Sequence, residues 1–214
     1  MTLIPTASQT LGPFFNFGLT TNAALGCLRR AGAQGESIRL EFRIIDGDAV
    51  PSPGDCMIEI WQPDSCGRYA HPLDPRAADA DPNFCGFGRL ETNPAGICVF
   101  ETVKPGGVPG PDGRSQAPHI NVVVFARGLL KHLYTRVYFA GDPSNLDDPV
   151  LALVPENRRA TLLAQPARTA ALVPENRPAT LLAQPAPTAG LGDPALWRIE
   201  IRLQGEHETV FFDV

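Results

Sequence analysis

Residues 119 and 121 carry the first chemistry legible in this chain. His119 and Asn121 open an apolar run, His119 to Phe125, that follows a loop dense in Gly and Pro from Lys104 to Pro118. Side chains two apart on a strand share a face, so the imidazole and the amide point the same way and the loop curls over them. Such an imidazole is either a metal ligand or a buried histidine hydrogen-bonded to backbone. With 4 histidines (His71, His119, His132, His207) and 3 tyrosines (Tyr69, Tyr134, Tyr138), the donors open to a metal are few. Arg127, in the FARG that ends the same run, offers a planar fork for a carboxylate, or else a solvated charge at a strand end. Arg136, alternating with apolar residues in HLYTRVYF, reads as a solvated or inter-strand charge. Neither a Ser/His/Asp or Cys/His signature nor a glycine-rich phosphate loop is legible.

The elements that must position these residues are strands. Ile38, Leu40, Phe42 and Ile44 alternate with Arg39, Glu41 and Arg43, and Asp46-Gly47 then opens a turn toward Cys56 to Trp61, which reads as a hairpin. Further strands are expected at Ile97 to Val103, His119 to Phe125, Leu133 to Phe139, Leu196 to Leu203 and Thr209 to Phe212. With no strong helix between them, this spacing predicts an all-β antiparallel sandwich over residues 37–214. The 22 Pro and 20 Gly, spread through the chain, fit its many turns. Residues 1–36 lack periodicity, but SQTLGPFF joins a Gly-Pro turn to two aromatics, which suits an arm docked on a partner chain or covering an apolar patch. Residues 152–170 and 171–189 are a direct repeat differing only at Arg159/Pro178 and Arg168/Pro187. Two copies are too few for a solenoid, so this is a tandem duplication within one domain. Copy one predicts a short helix near 156–165, and Pro178 makes copy two a loop.

Charge and cysteine usage narrow the class. With 18 Lys+Arg against 23 Asp+Glu, net charge −5, no basic face for nucleic acid or an anionic membrane is suggested. MTLIPTASQT lacks the basic and apolar regions of a signal peptide, and no run approaches the roughly 18 apolar residues of a span, so a cytoplasmic location is expected. The 5 cysteines are an odd number without paired short spacing, which indicates neither a disulfide framework nor a zinc cluster, and they read as reduced and mostly buried.

Several stretches together closely resemble the intradiol ring-cleaving dioxygenases: W-Q-x-D-x-x-G-x-Y at Trp61 to Tyr69, DPNF at Asp81 to Phe84, KPG followed by a long loop and APHI, HINVVVFARG, and the C-terminal QGEHETVFFDV. The resemblance covers nearly the whole chain apart from the second repeat copy and part of the loop around Arg76. It implies a β-sandwich in which catalytic chains hold a ferric iron with two tyrosines and two histidines. Here Arg76, Val108 and Asn121 stand at three of those positions and only His119 is retained, so the resemblance implies a chain without its own iron. Tyr69 belongs to the G-x-Y element and reads as a core-edge tyrosine with its hydroxyl satisfied.

The same resemblance implies an α-type subunit whose homologous β partner binds the Fe(III), the two forming αβ protomers in a larger oligomer. Its substrate would be protocatechuate (3,4-dihydroxybenzoate), cleaved with O2 to 3-carboxy-cis,cis-muconate. Thr10, Gly12, Pro13 and Phe14 of the arm would then line the companion chain's site, and Arg127 would reach it. Phe14 stands where tyrosine is common, which removes a phenolic hydrogen bond. A β-sandwich binding module that keeps only the fold is the alternative from another class. An independent iron enzyme would need a phenolate near His119 that the sequence does not place.

Overall fold

Apolar residues at every second position give this chain strands with one face fit for a core. The computed structural model describes residues 13–47, 50–51, 56–110, 113–167 and 194–213. Its strands are β1 (Ser37–Asp46), β2 (Val50–Pro51), β3 (Met57–Trp61), β4 (Phe87–Glu91), β5 (Ile97–Val103), β6 (Val108–Pro109), β7 (Ser115–Gln116), β8 (His119–Phe125), β9 (Leu133–Phe139), β10 (Leu163–Ala167) and β11 (Ala195–Arg202). In one layer β1 pairs with β11 in parallel and with β5 antiparallel. The other layer runs β4, β3, β8, β9, all antiparallel. Strand β10 turns the corner between them, since Leu163 and Ala164 pair with β9 and Gln165 to Ala167 with β11. This is the predicted sandwich, with parallel pairing where β11 and β10 join it.

The two layers meet through Ile38, Leu40, Phe42 and Ile44 on one side and Ile58, Ile60, Ile120, Val122 and Val124 on the other, all buried. Phe42 meets Phe100 edge to face at 5.7 Å, the arrangement the ring quadrupoles favour. Leu28, ahead of β1, is 1% exposed in the same core, so the chain after helix α1 (Pro13–Thr20) is already packed on its own sandwich. Among the described residues no helix is long and apolar enough to cross a membrane.

Three expectations are corrected and one, the short helix, is refined. The turn at Asp46-Gly47 leads only to β2, which pairs with Ile45 and Asp46, while β3 belongs to the opposite layer. Periodicity reveals which face of a strand is apolar, not which neighbour it takes. The helix near 156–165 is a 3₁₀ segment, Glu156–Leu162, after which the chain extends at once into β10. Thr209 to Phe212 forms a single bridge, Phe212 to Tyr134, and is otherwise held by side-chain bonds: the Thr209 hydroxyl accepts from the Arg202 amide at 3.0 Å, and the Val210 carbonyl accepts from Thr135 Oγ1 at 2.7 Å. Of the cysteines, Cys56 and Cys98 are buried but Cys27, Cys66 and Cys85 are exposed. Strand β4 was not legible because Gly88 and Arg89 break its alternation; a Cβ at Gly88 would come 2.7 Å from Leu28 Cδ1. The second repeat copy, 171–189, lies outside the described residues.

Candidate functional site

On the outer face of the second layer, register decides which side chains become neighbours. Trp61 of β3, Asn121 of β8 and Arg136 of β9 stand in one cross-strand row, and His119 faces Tyr138 in the next. These residues form a polar and aromatic floor. Two loops, 62–86 and 104–118, wall it in.

The walls are held by the residues of the W-Q-x-D-x-x-G-x-Y stretch, each with a separate task. Gln62, fully buried, donates to the Val103 carbonyl at 3.0 Å and accepts from Thr102 Oγ1 at 2.8 Å, tying the first loop to β5. Asp64 accepts from the amides of Cys66 (2.8 Å), Arg68 (2.9 Å) and Asp81 (3.0 Å), folding the loop back on itself. The two loops touch through glycine backbone. Gly67 has φ +75°, and a Cβ there would lie 1.9 Å from the Gly107 carbonyl oxygen. A Cβ on Gly106 would lie 2.5 Å from the Gly67 nitrogen, so both positions exclude any side chain. Lys104 of KPG pairs with Asp142 at 3.1 Å and lies over the Phe139 ring at 5.4 Å.

This cleft, open to solvent on one side, has a volume of about 490 Å3. It brings the loop residues Arg76 and Val108 to His119 and Asn121 of β8, and it adds Trp61, Tyr69, His71, Gln116 and Arg136, which sequence reasoning did not assign to a site. One signal could have found part of this set: Tyr134, Arg136 and Tyr138 share a strand face on which a guanidinium stands between two phenols, although Tyr138 itself is fully buried in a second apolar cluster. Tyr69 stacks on Trp61 at 5.6 Å and 14°. Arg76 is engaged by Asp74 (Nη2 to Oδ2, 3.1 Å) and by the Gly67 carbonyl (2.7 Å). The Asp74 carboxyl is held down to about 2, first by the Tyr69 amide and then by Arg76.

His119 is 2% exposed, and its Nδ1 lies 2.7 Å from the Ala117 carbonyl, to which it donates. Burial, reinforced by the Arg136 charge, lowers its pKa to about 4 against the opposing pull of the Ala117 bond and Asp148. The imidazole is therefore neutral near pH 7, with Nε2 left as an acceptor. Two phenols stand close by, which the sequence could not place. Tyr138 lies 5.7 Å from the His119 ring, and Tyr69 lines the cleft. Burial raises both hydroxyl pKa values, and Tyr138 already donates to Asp148 at 3.1 Å.

The other expected site residues lie elsewhere. Arg127 is exposed in the turn after β8, at the far end of the strand from His119. Seven strand residues at about 3.3 Å each put it on the order of 20 Å from the cleft. Pro13 and Phe14 fall in α1, and Thr10 and Gly12 lie outside the described residues.

The family model described as Dioxygenase matches residues 11–180. The protocatechuate 3,4-dioxygenase alpha chain of Burkholderia cepacia is 38% identical over 100% of this chain and 99% of its own length. The chain belongs to the intradiol dioxygenase family. Another member, the protocatechuate 3,4-dioxygenase beta chain of Burkholderia cepacia, is 34% identical over 74% of this chain and 66% of its own length. The solved 3-chlorocatechol 1,2-dioxygenase of Rhodococcus opacus shares the fold, with a TM-score of 0.60 at 16% identity, covering 94% of this chain and 69% of that one.

The cleft of this member does not suit the ferric ion of the family. Fe(III) needs anionic oxygen or lone-pair nitrogen donors. The four positions the resemblance assigns to ligands present a guanidinium, an isopropyl group, an amide and one imidazole, and a second guanidinium, Arg136, lines the same space. Burial keeps the adjacent phenols protonated, so they offer no ready phenolate.

Proposed function

We propose that this chain is the α subunit of a protocatechuate 3,4-dioxygenase, working in the cytoplasm with a homologous β subunit that binds the Fe(III). The holoenzyme cleaves 3,4-dihydroxybenzoate with O2 to 3-carboxy-cis,cis-muconate. The observation that carries this reading is the cleft itself, whose lining includes Arg76, Val108, His119 and Asn121, the positions the resemblance assigns to ligands, and offers no donor set for iron. The full-length similarity to an alpha chain supports the same assignment.

In this reading the chain contributes to catalysis through surfaces away from its own cleft. Arg127, exposed at the β8–β9 turn, reaches the partner's site and holds the substrate carboxylate, directly or through one water. The arm bearing Thr10, Gly12, Pro13 and Phe14 lines that site from the other side. The αβ pairs associate further into a larger oligomer.

Co-expression with an iron-bearing homologous chain tests the subunit assignment, since the two should purify together with iron in proportion to the β chain. Loss of one charged hydrogen bond of roughly 1.5–3 kcal/mol corresponds to about ten- to a hundredfold in kcat/KM. Arg127→Ala in the αβ complex should lower kcat/KM for protocatechuate by that factor without changing iron content. Catechol, which lacks the carboxylate, should be nearly indifferent. Equal losses for both substrates would make Arg127 a support of the subunit contact, and absence of any partner would leave a non-catalytic module.

A further inference from the structure

Residues 152–167, the described part of the first repeat copy, are seated by side chains that the second copy possesses at the same spacing. Leu162, 0% exposed, fills an apolar cluster with Tyr138 and Leu151, joined by the buried Val154. Leu163 and Ala164 pair with Tyr138 and Phe139 of β9, and Gln165 to Ala167 pair with β11. Arg158 Nη2 donates to the Glu208 carbonyl at 2.7 Å, and the Thr161 hydroxyl accepts from the Val210 amide at 3.3 Å. One repeat later Val173, Arg177, Thr180, Leu181, Leu182 and Ala183 stand in the same order. The seat selects side-chain identity and spacing, so one chain carries two candidates for it.

The two differences between the copies rank them. Arg159 ties the segment to the preceding turn, through Nε to the Val154 carbonyl at 2.9 Å and Nη2 to the Ala152 carbonyl at 3.3 Å. Its counterpart Pro178 makes neither bond and disfavours helical geometry at Arg177, whose counterpart Arg158 lies inside the 3₁₀ segment. The other difference, Arg168 against Pro187, falls beyond the last residue of β10. Two lost hydrogen bonds amount to about ten- to a hundredfold in favour of copy one. Chain length does not oppose an exchange. With copy one seated, residues 168–194 connect β10 to β11. With copy two seated, 187–194 connect them, and the surplus, 154–172, precedes the seat at Leu153, which is 82% exposed. The surplus is one repeat in either case, and closure entropy depends only weakly on loop length.

We propose that the seat between β9 and β11 accepts either copy, so that residues 173–186 are a spare for residues 154–167. The chain interconverts between two registers one repeat apart, with copy one the major occupant. This exchange is independent of the subunit assignment, because the seat and both occupants belong to one chain.

The test is urea unfolding of the full chain carrying Leu162→Asp, Leu181→Asp or both. Without a replacement, a carboxylate at the Leu162 position costs more than about a thousandfold in the folding equilibrium. With the spare in place, Leu162→Asp should stay folded and lose only about ten- to a hundredfold. Leu181→Asp should match the parent, and the double variant should show the full loss. Limited trypsin gives a second readout, because it cuts after Arg158 and Arg159 but spares the Arg177–Pro178 bond. Cutting at Arg158 and Arg159 should be slow in the parent and fast in folded Leu162→Asp, as copy one leaves the seat. Leu162→Asp indistinguishable from the double variant, whether both fold or both fail, would overturn the proposal. So would a Leu181→Asp loss as large as that of Leu162→Asp, or parent-like resistance of Leu162→Asp to trypsin.

Discussion

Lowering the pH through the range where His119 titrates should destabilise this chain in a way that one substitution abolishes. In the folded protein the imidazole titrates at about 4, mainly through burial, while an unfolded chain takes up that proton at 6.5. Above pH 6.5 both states hold His119 neutral, and its full contribution to stability is present. Between 6.5 and 4 the unfolded chain binds the proton and the folded one does not, so stability falls as pH falls and levels off below 4. A separation of about 2.5 pH units at 1.36 kcal/mol per unit amounts to about 3 kcal/mol by pH 4. Urea unfolding of the parent and of His119→Gln, measured at half-unit steps from pH 7.5 to 4, isolates this contribution as the difference between two curves. Asp74, held at about 2, loses its contribution below pH 4 in both proteins and cancels. The stability difference between parent and variant should shrink by about 3 kcal/mol across the window. Parallel curves would show that the folded imidazole protonates as freely as the unfolded one, and the burial argument would then be wrong.

Three other outcomes follow from the packing. Asp148 is 0% exposed and accepts from Ala117 N (2.8 Å), Val150 N (2.9 Å), Leu151 N (2.7 Å) and the Tyr138 hydroxyl (3.1 Å), so Asp148→Ala should cost about 3 kcal/mol or more in urea unfolding. Asp148→Asn, which keeps one acceptor, should cost less. Gly67→Ala should lower the urea midpoint far more than Gly113→Ala. Both have positive φ, but nothing lies within 4 Å of a Cβ at Gly113, where the change should cost only about 1–2 kcal/mol of backbone strain. Deleting residues 171–189 should leave the midpoint nearly unchanged, because loop closure varies by only about 0.6 kcal/mol per doubling of loop length. A loss of soluble protein would show that the second copy is packed.

Much of the site was written in residue types but not in its arrangement. The alternation in β1, β5, β8, β9 and β11 was legible because a strand with one buried face must repeat every two residues. His119 and Asn121 were correctly placed on one face for the same reason. Arg136 reads from the sequence as a solvated or inter-strand charge, and the structure places it half-buried opposite Asn121 with its Nη1 donating to Gln116 Oε1. Its meaning depends on standing opposite Asn121, and cross-strand register is a property of two strands that no single stretch carries. Tyr69 reads from the sequence as a core-edge residue, and it also forms part of the cleft wall because the loop after Trp61 folds back through Asp64 and Gly67.

By itself, then, the sequence determined the class of fold and the apolar face of each long strand, since these depend on side-chain identity and local period. Only the tertiary structure decided that β3 leaves β1 for the opposite layer and that β10 turns the corner. It alone decided that Arg76, Val108, His119, Asn121 and Arg136 share one cleft while Arg127 stands at the other end of β8. Those outcomes rest on contacts between residues far apart in the chain, which form only when whole layers pack and loops close over them.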